Sequence, residues 1–412
     1  MNGSAIERVF RAAGGRIIAA LAARFRDLSL AEDAFAEGCA RAVRVWQDEG
    51  VPRDPAAWLY QVAVRVALDQ LRAQRTRQRI MPDPPPPDPT AEDAMIDDRQ
   101  IIPDERLRLI FICCHPAVAR DTRAALTLRL VCGLTTTEIA RAFLIEETTL
   151  AQRLVRAKRK IADAAVPFEL PAPEHWGERL EAVMATVEVA YSKAHEDAAG
   201  LGTHAGFAGE MLHLSMLLVS LLPDHGDAHA LAALLHYAEA RRPARVDAGG
   251  TMVPLSLQDP ALWRRDLVEK ADALLAQAIR LSPHTARTLQ ARLQACWCAR
   301  TDRAEPAPWD RIKQIYDLLL RVRDDPIVRL NRIVAVAELD GAGAALAELD
   351  ALDARGLQQF GPYHAVRADL LARLGHPAEA RAAYQAVLAL EPPPAEQKWL
   401  AGRLAELSRT LQ

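Results

Sequence analysis

The chain has 412 residues, half of them hydrophobic and a quarter charged, with a formal net charge of −3. That length exceeds what one hydrophobic core fills, so two or three domains are expected, each with apolar residues enough for a real core. Six cysteines without an even framework of spacings exclude a disulfide scaffold and fit a reducing cytoplasm. The start, MNGSAIERVF, carries charges where a signal peptide needs an apolar run. No window approaches the roughly 18 uninterrupted apolar residues of a membrane span, so a soluble cytoplasmic chain with no membrane role is expected. The net charge hides an asymmetry: residues 1–164 hold 25 Lys+Arg against 22 Asp+Glu, or +3, and residues 165–412 hold 26 against 32, or −6. A basic front and an acidic back mark the front as the part that meets nucleic acid.

Strand signals are nearly absent, while Ala, Leu, Arg and Glu dominate segments of helical period, so the fold class is all-α. Ile6 to Phe25 reads as a first helix and Leu30 to Trp46 as a second. In the second, Glu32, Asp33 and Glu37 lie toward the N-terminal end, where the helix dipole favours anions, and Arg41 and Arg44 toward the other. A solvated face with sensible charge order is the plain reading of that pattern. Pro52 to Pro55 marks a loop, and Ala56 to Arg79 a third helix with Leu59, Val62, Val66 and Leu71 turned inward. Its tail carries Arg65, Arg72, Arg75, Arg77 and Arg79, opposed only by Asp69, and fits a solvated end, a phosphate backbone or, least well without Phe or Leu on a contiguous exposed face, a membrane surface. Met81 to Thr90, MPDPPPPDPT, can be neither helix nor sheet and continues into the acidic Glu92 to Asp98. This linker would let two basic modules, residues 1–80 and 103–165, reach separate points on one duplex.

The second module ends in LTTTEIARAFLIEETTLAQRLVRAKRKI. Thr135 and Glu138 form a capping box that opens a short helix, Thr136 to Phe143, and Leu144 to Glu147 leaves room for a tight turn. In the next helix Leu150, Leu154, Ala157 and Ile161 recur with the spacing of one buried stripe. Thr149, Gln152, Arg153, Arg156 and Lys160 fall on the other side, with side chains suited to base edges and phosphates. Two short helices joined in this way read as a helix-turn-helix whose second member enters the major groove.

Pro167, Pro171 and Pro173 mark the next boundary, after which residues 166–412 stay helical and turn acidic. Glu210 to Leu222 is apolar on nearly all sides and is expected at the centre of a helical core. Arg242 to Pro260 is irregular, with Asp247, Gly249 and Gly250 supplying turn chemistry. Leu339, Ala345, Leu349 and Leu352 recur 35 positions later as Leu374, Ala380, Tyr384 and Val387. That spacing approaches the tetratricopeptide period of roughly 34 residues, which Leu370 to Pro392 matches best.

Metal and catalytic chemistry find little support. Cys113, Cys114 and His115 are consecutive, so on a helix they point about 100° apart and cannot converge on one ion, and Cys296 with Cys298 shares the defect. His225, His229 and His236 can share a helical face, which leaves a ligand or metal site open there. No HExxH, phosphate loop or nucleophile elbow is present, and neither an enzyme nor a cofactor is expected.

With both modules placed, residues 6–164 resemble the extracytoplasmic-function branch of the sigma-70 family of bacterial transcription initiation factors. LAEDAFAEGCARA resembles the second-region helix that contacts the clamp helices of core RNA polymerase; the resemblance implies core-binding roles for Glu32, Asp33, Glu37 and Arg41. PAAWLYQVAVRVALDQLRAQ resembles the helix that opens and reads the minus-ten element, which implies that role for Arg65, Asp69, Arg72 and Arg75. The helix-turn-helix resembles the fourth-region reader of the minus-thirty-five element, with Thr148, Thr149, Gln152, Arg153, Arg156, Lys158, Arg159 and Lys160 toward promoter DNA. FICCHPAVARDTRAALTLRLVCGL, RRPARVD, QDPALW, RLNRIVAVAE and YHAVRADLLARLGHPAEARAAY are similar to the subgroup fused to a C-terminal domain with tetratricopeptide-like repeats. In that subgroup the extension influences activity in place of a separate anti-sigma protein, and a protein partner or small ligand of that domain is compatible with it. The chain departs from the family where Ala36 replaces a Gln, Cys39 an aromatic and Val64-Arg65-Val66 an Arg-Asn-Arg. It also opens its recognition helix with Glu146 and Glu147, which would repel phosphate unless they accept from cytosine or turn back onto the helix end. The competing readings are a helix-turn-helix regulator with a repeat-type sensor domain and no polymerase role, and a tetratricopeptide-like scaffold. A second basic module before the linker separates the first reading from both.

Overall fold

The computed structural model describes residues 3–78, 105–143, 145–164, 166, 168, 177–196, 205–352 and 357–410. The proline-rich linker, the 167–173 proline boundary, Arg79 and the side chains of Arg75, Arg77 and Glu138 lie outside the described residues. The described residues are helical apart from turns, loops and one isolated bridge between Val246 and Met252. No described helix is long and apolar enough to cross a membrane. The chain divides into two compact units, Met1–Lys193 and Ala194–Gln412.

Three helices open the first unit: α1 (Gly3–Phe25), α2 (Leu28–Glu49) and α3 (Pro55–Gln78). Asp27 starts α2, its carboxylate accepting the N–H groups of Ser29 and Leu30 at 2.9 and 3.0 Å, and Asp54 accepts from Ala57 at 2.9 Å to start α3. Both caps satisfy amides that have no partner inside the helix. Ile17, Leu21, Ala31, Trp46, Leu59 and Val66 are buried between the three, with the Trp46 ring 5.7 Å from Phe10 and 5.3 Å from Trp58. Val62 and Leu71 are half-buried.

The second part of this unit holds α4 (Arg106–Cys113), α5 (Arg120–Leu130), α6 (Thr136–Phe143) and α7 (Glu147–Asp163). It packs directly on α1 and reaches α2 through ion pairs. A Cβ at Gly15 of α1 would overlap the carbonyl oxygen of Val131 at the end of α5, so only glycine permits that approach. The division after Lys193 also differs from the boundary expected near residue 166. Most of α8 (Gly177–Glu196) belongs to the first unit, where Thr186 Oγ1 lies 3.4 Å from Cys114 Sγ and Arg179 Nη2 donates to the Phe111 carbonyl at 3.3 Å.

The second unit runs through α9 (Ala205–Leu221), α10 (Gly226–Arg241), α11 (Arg265–Leu281), α12 (Ala286–Cys298), α13 (Trp309–Val322), α14 (Pro326–Leu339), α15 (Ala342–Asp350), α16 (Gly361–Arg373), α17 (Pro377–Ala389) and α18 (Pro394–Thr410). From α9 on, each helix packs on its chain neighbours. The centre is α10 rather than α9. Alanines 228, 230, 232, 233 and 240 let α9, α11 and α12 close on it, whereas α9 buries Met211, Leu214, Ser215 and Leu218 and leaves Leu221 exposed. In the irregular stretch Asp247 accepts from the amides of Gly249 and Thr251 at 2.9 and 2.8 Å, and Gly250 takes φ 73°. Of the recurring positions, Ala345, Leu349, Ala380, Tyr384 and Val387 are buried in α15 and α17, while Leu374 is partly exposed beyond α16.

Candidate nucleic-acid interface

The helix-turn-helix comprises α6 and α7. Leu150, Leu154, Ala157 and Ile161 are each at most 5% exposed, which seats one side of α7 on the unit and turns the other outward. Thr148, Gln152, Arg156, Arg159 and Lys160 are exposed there, and Thr149 and Arg153 are half-buried. Arg156 Nε donates to the Gln152 carbonyl at 3.3 Å, and Arg159 reaches Asp163 at 3.6 Å across the exposed face. Glu146 precedes the helix without a side-chain capping bond, and it and Glu147 stand exposed at the end that would enter a groove. Capping therefore does not account for Glu146.

Lys158 behaves differently from its neighbours. Its ammonium donates to Glu32 of α2 at 2.8 Å, and Arg129 of α5 donates to the other oxygen of the same carboxylate at 2.8 Å. Burial works to raise the Glu32 carboxyl, but Lys158 and Arg129 outweigh it and hold the group below the ordinary carboxylate range. A residue expected to face polymerase and one expected to face phosphate are thus bound to each other in this structure. Arg129, which also donates to the Leu134 carbonyl at 3.1 Å, was not singled out from the sequence. It lies 97 positions from Glu32, and nothing local announces the pairing.

The remaining acidic and basic residues of α2 stand together. Asp33, Glu37 and Arg41 line an open groove of about 630 Å³ between α2 and α3, with Ala36, Val66, Asp69, Gln70 and Ala73. Glu37 and Arg41 pair at 2.9 Å within α2, and Asp69 and Arg72 at 3.4 Å within α3, the second pair largely solvated. Arg65 is exposed on α3. The structure therefore gathers Asp33, Glu37, Arg41 and Asp69 at one groove and places Glu32 in a separate ion-pair cluster.

On α10, His229 and His236 each direct one ring nitrogen at a backbone carbonyl. His229 Nε2 lies 2.9 Å from the Pro223 carbonyl and His236 Nδ1 2.7 Å from that of Ala232, and the described residues hold no group of three metal-binding side chains. Cys113, Cys114 and Cys132 are buried, and burial pushes their thiols up, away from the reactive thiolate.

Two helical modules in this order, the second a helix-turn-helix with a polar outer face, define a DNA-reading front. Residues 9–77 match the family described as Sigma-70 region 2, and residues 108–161 match Sigma-70, region 4. Together these matches support a sigma factor of the sigma-70 family, whose two regions bind core RNA polymerase and promoter DNA. Residues 179–279 match a family of unknown function. An uncharacterized protein of Rhizobium meliloti (strain 1021) is 37% identical over 393 residues, covering 94% of this chain and 92% of that protein, so the two belong to one family across nearly their whole length. No solved structure matches the chain.

Proposed function

We propose that this protein is a sigma factor of the extracytoplasmic-function type, acting in the cytoplasm, whose tetratricopeptide-like C-terminal unit regulates it. The observation that carries the reading is the occurrence, in one chain and in this order, of an α2–α3 groove bearing Asp33, Glu37 and Arg41 and an α7 with Thr148, Gln152 and Lys160 outward. In this reading Thr149, Gln152 and Arg153 meet base edges, while Arg156, Lys158, Arg159 and Lys160 anchor phosphates. Arg65, Asp69, Arg72 and Arg75 act at the minus-ten element, and Glu32, Asp33, Glu37 and Arg41 face core polymerase.

The two elements are separated by about 25 base pairs, or roughly 85 Å of duplex at 3.4 Å per pair. A compact unit of 193 residues has a radius of gyration of only about 16 Å. Both modules therefore reach their elements together only after parting, which frees Lys158 and Glu32 from each other. In vitro transcription with purified core polymerase, comparing the full chain with residues 1–193, tests the reading. Promoter-dependent transcripts from the full chain, changed in amount by removing the second unit, are expected. Promoter binding without any association with core polymerase would instead identify a helix-turn-helix regulator.

A further inference from the structure

The C-terminal end of α4, the turn after it, the start of α5 and one face of α8 enclose a cavity of about 470 Å³, within the range of small-molecule sites. Arg123 of α5 and Arg179 of α8 line it, and Ala124, Ala182, Ala185 and Val189 supply apolar wall. Arg123 Nε donates to the Val118 carbonyl at 2.9 Å, and Arg179 Nη2 donates to that of Phe111 at 3.3 Å. Each guanidinium has further N–H groups, and Arg179 Nε is buried with no hydrogen-bond partner. Among the described residues neither arginine has a carboxylate partner; the carboxylate of the wall is Glu181, which is exposed.

Arg129, Arg242 and Arg287 are matched by acids, Glu32, Glu239 and Asp227 in turn, and Arg300 spends all three of its nitrogens on backbone carbonyls, whereas Arg123 and Arg179 each have one such bond and face a cavity. Two cations that no carboxylate among the described residues matches, beside apolar wall, form an arrangement that an anion completes. The surroundings register the excess positive charge. Burial, then Arg179 and Arg123, hold His115 on the adjoining turn below its ordinary range. Burial also lowers the Arg179 guanidinium itself.

We propose that this cavity binds a small organic phosphate, its head between Arg123 and Arg179 and its apolar body against Ala182, Ala185 and Val189. Two forked guanidiniums suit the several acceptor oxygens of a phosphate monoester, and the alanines leave room for a flat apolar group. Arg123 lies in the segment that matches region 4, and Arg179 in the segment that matches the family of unknown function. The ligand therefore ties α8 to the helix-turn-helix module, which names a small-molecule input for the regulation proposed above. That consequence rests on the sigma-factor reading; the binding itself does not.

Calorimetric titration of the full chain with phenyl phosphate, and separately with inorganic phosphate, tests the site without polymerase or DNA. Phenyl phosphate is expected to saturate one site per chain, with inorganic phosphate at least about tenfold weaker because it lacks the apolar body. Arg123→Gln and Arg179→Gln should each weaken phenyl phosphate about tenfold or more, and Ala185→Trp, which fills the cavity without removing a cation, should abolish binding. Circular dichroism melting checks each variant's fold; should Arg179→Gln fail to fold, Arg123→Gln and Ala185→Trp decide. Absence of saturation up to about 10 mM, or phenyl phosphate affinity unchanged in Ala185→Trp, overturns the proposal. Loss of transcription with core polymerase alongside intact phenyl phosphate binding would reject the sigma-factor reading and leave the site standing.

Discussion

Arginine does two different jobs in the two units. In the second unit many arginines are tied to acids: Arg332 bridges Asp317 and Glu348 at 2.6 and 2.8 Å, Arg373 holds Glu338 and Asp369 at 2.6 and 2.7 Å, and Arg287 holds Asp227 at 3.2 Å. In the first unit α3 and α7 leave cations in water. Arg65, Arg156 and Lys160 are exposed, and the pairs that do form there, such as Arg72 with Asp69, are open to solvent and contribute little. The lesson is that a count of arginines does not measure available positive charge. Where acids sit within reach, arginine joins helices; where they do not, it keeps its attraction for phosphate. Lys158 and Arg129 depart from this because Glu32 reaches both, and Arg108 and Arg41 are likewise held by Glu105 and Glu37.

The comparison breaks most visibly at Arg287, which is 8% exposed. Arg287→Ala should lower stability in urea denaturation by about 3 kcal/mol, since it leaves Asp227 short of its counter-charge in a partly buried site. A loss no larger than that of an exposed-arginine variant would mean that the second unit's ion pairs do not hold its helices. Next comes Glu32→Gln, expected to cost about 1 to 2 kcal/mol and to separate the two modules of the first unit. The Glu32 carboxyl is held low in the fold, so its contribution is present in full above the ordinary value of 4.5 and is lost as pH falls through the lowered one. Wild type should therefore lose this stability on acidification and Glu32→Gln should not. Parallel acid profiles for the two proteins would remove Glu32 as the clamp.

Arg156→Ala gives the smallest effect on the fold and sharpens the other side of the comparison. Its side chain is exposed, with a weak bond to the Gln152 carbonyl, so unfolding should shift by less than about 0.5 kcal/mol. The log–log salt dependence of promoter binding should nevertheless become shallower by about 0.9, the share of one phosphate contact. A destabilised fold with an unchanged salt slope would place Arg156 with the structural arginines.

Much of this was legible before any coordinates. The stripe Leu150, Leu154, Ala157 and Ile161 announces both the helix and its buried side, because burial repeats with the helical period. Pro55 and Gly50 bound α2 and α3 close to where the charge and hydrophobic patterns place them. The most enclosed helix of the second unit is not the most hydrophobic one, for a physical reason. The leucine-rich α9 attracts attention by hydropathy, but the alanine-rich α10 admits close neighbours on most sides. The place of α8 was equally hidden, since its attachment depends on Thr186 meeting Cys114 across 72 positions.

By itself the sequence determined the all-α class, the two sigma-70 regions and the outward face of the recognition helix, properties fixed by local period and by residue type. Only the tertiary structure decided which of the charges on those helices remain available. Glu32 and Lys158 are separated by 126 positions, and each looks like a solvated or partner-facing residue in its own helix. The approach of α1 to the end of α5, permitted by Gly15, accompanies the packing of the second module on α1 and α2, within which Glu32 and Lys158 meet. An ion pair follows the distance between side chains in the fold, and helical periodicity carries no record of that distance.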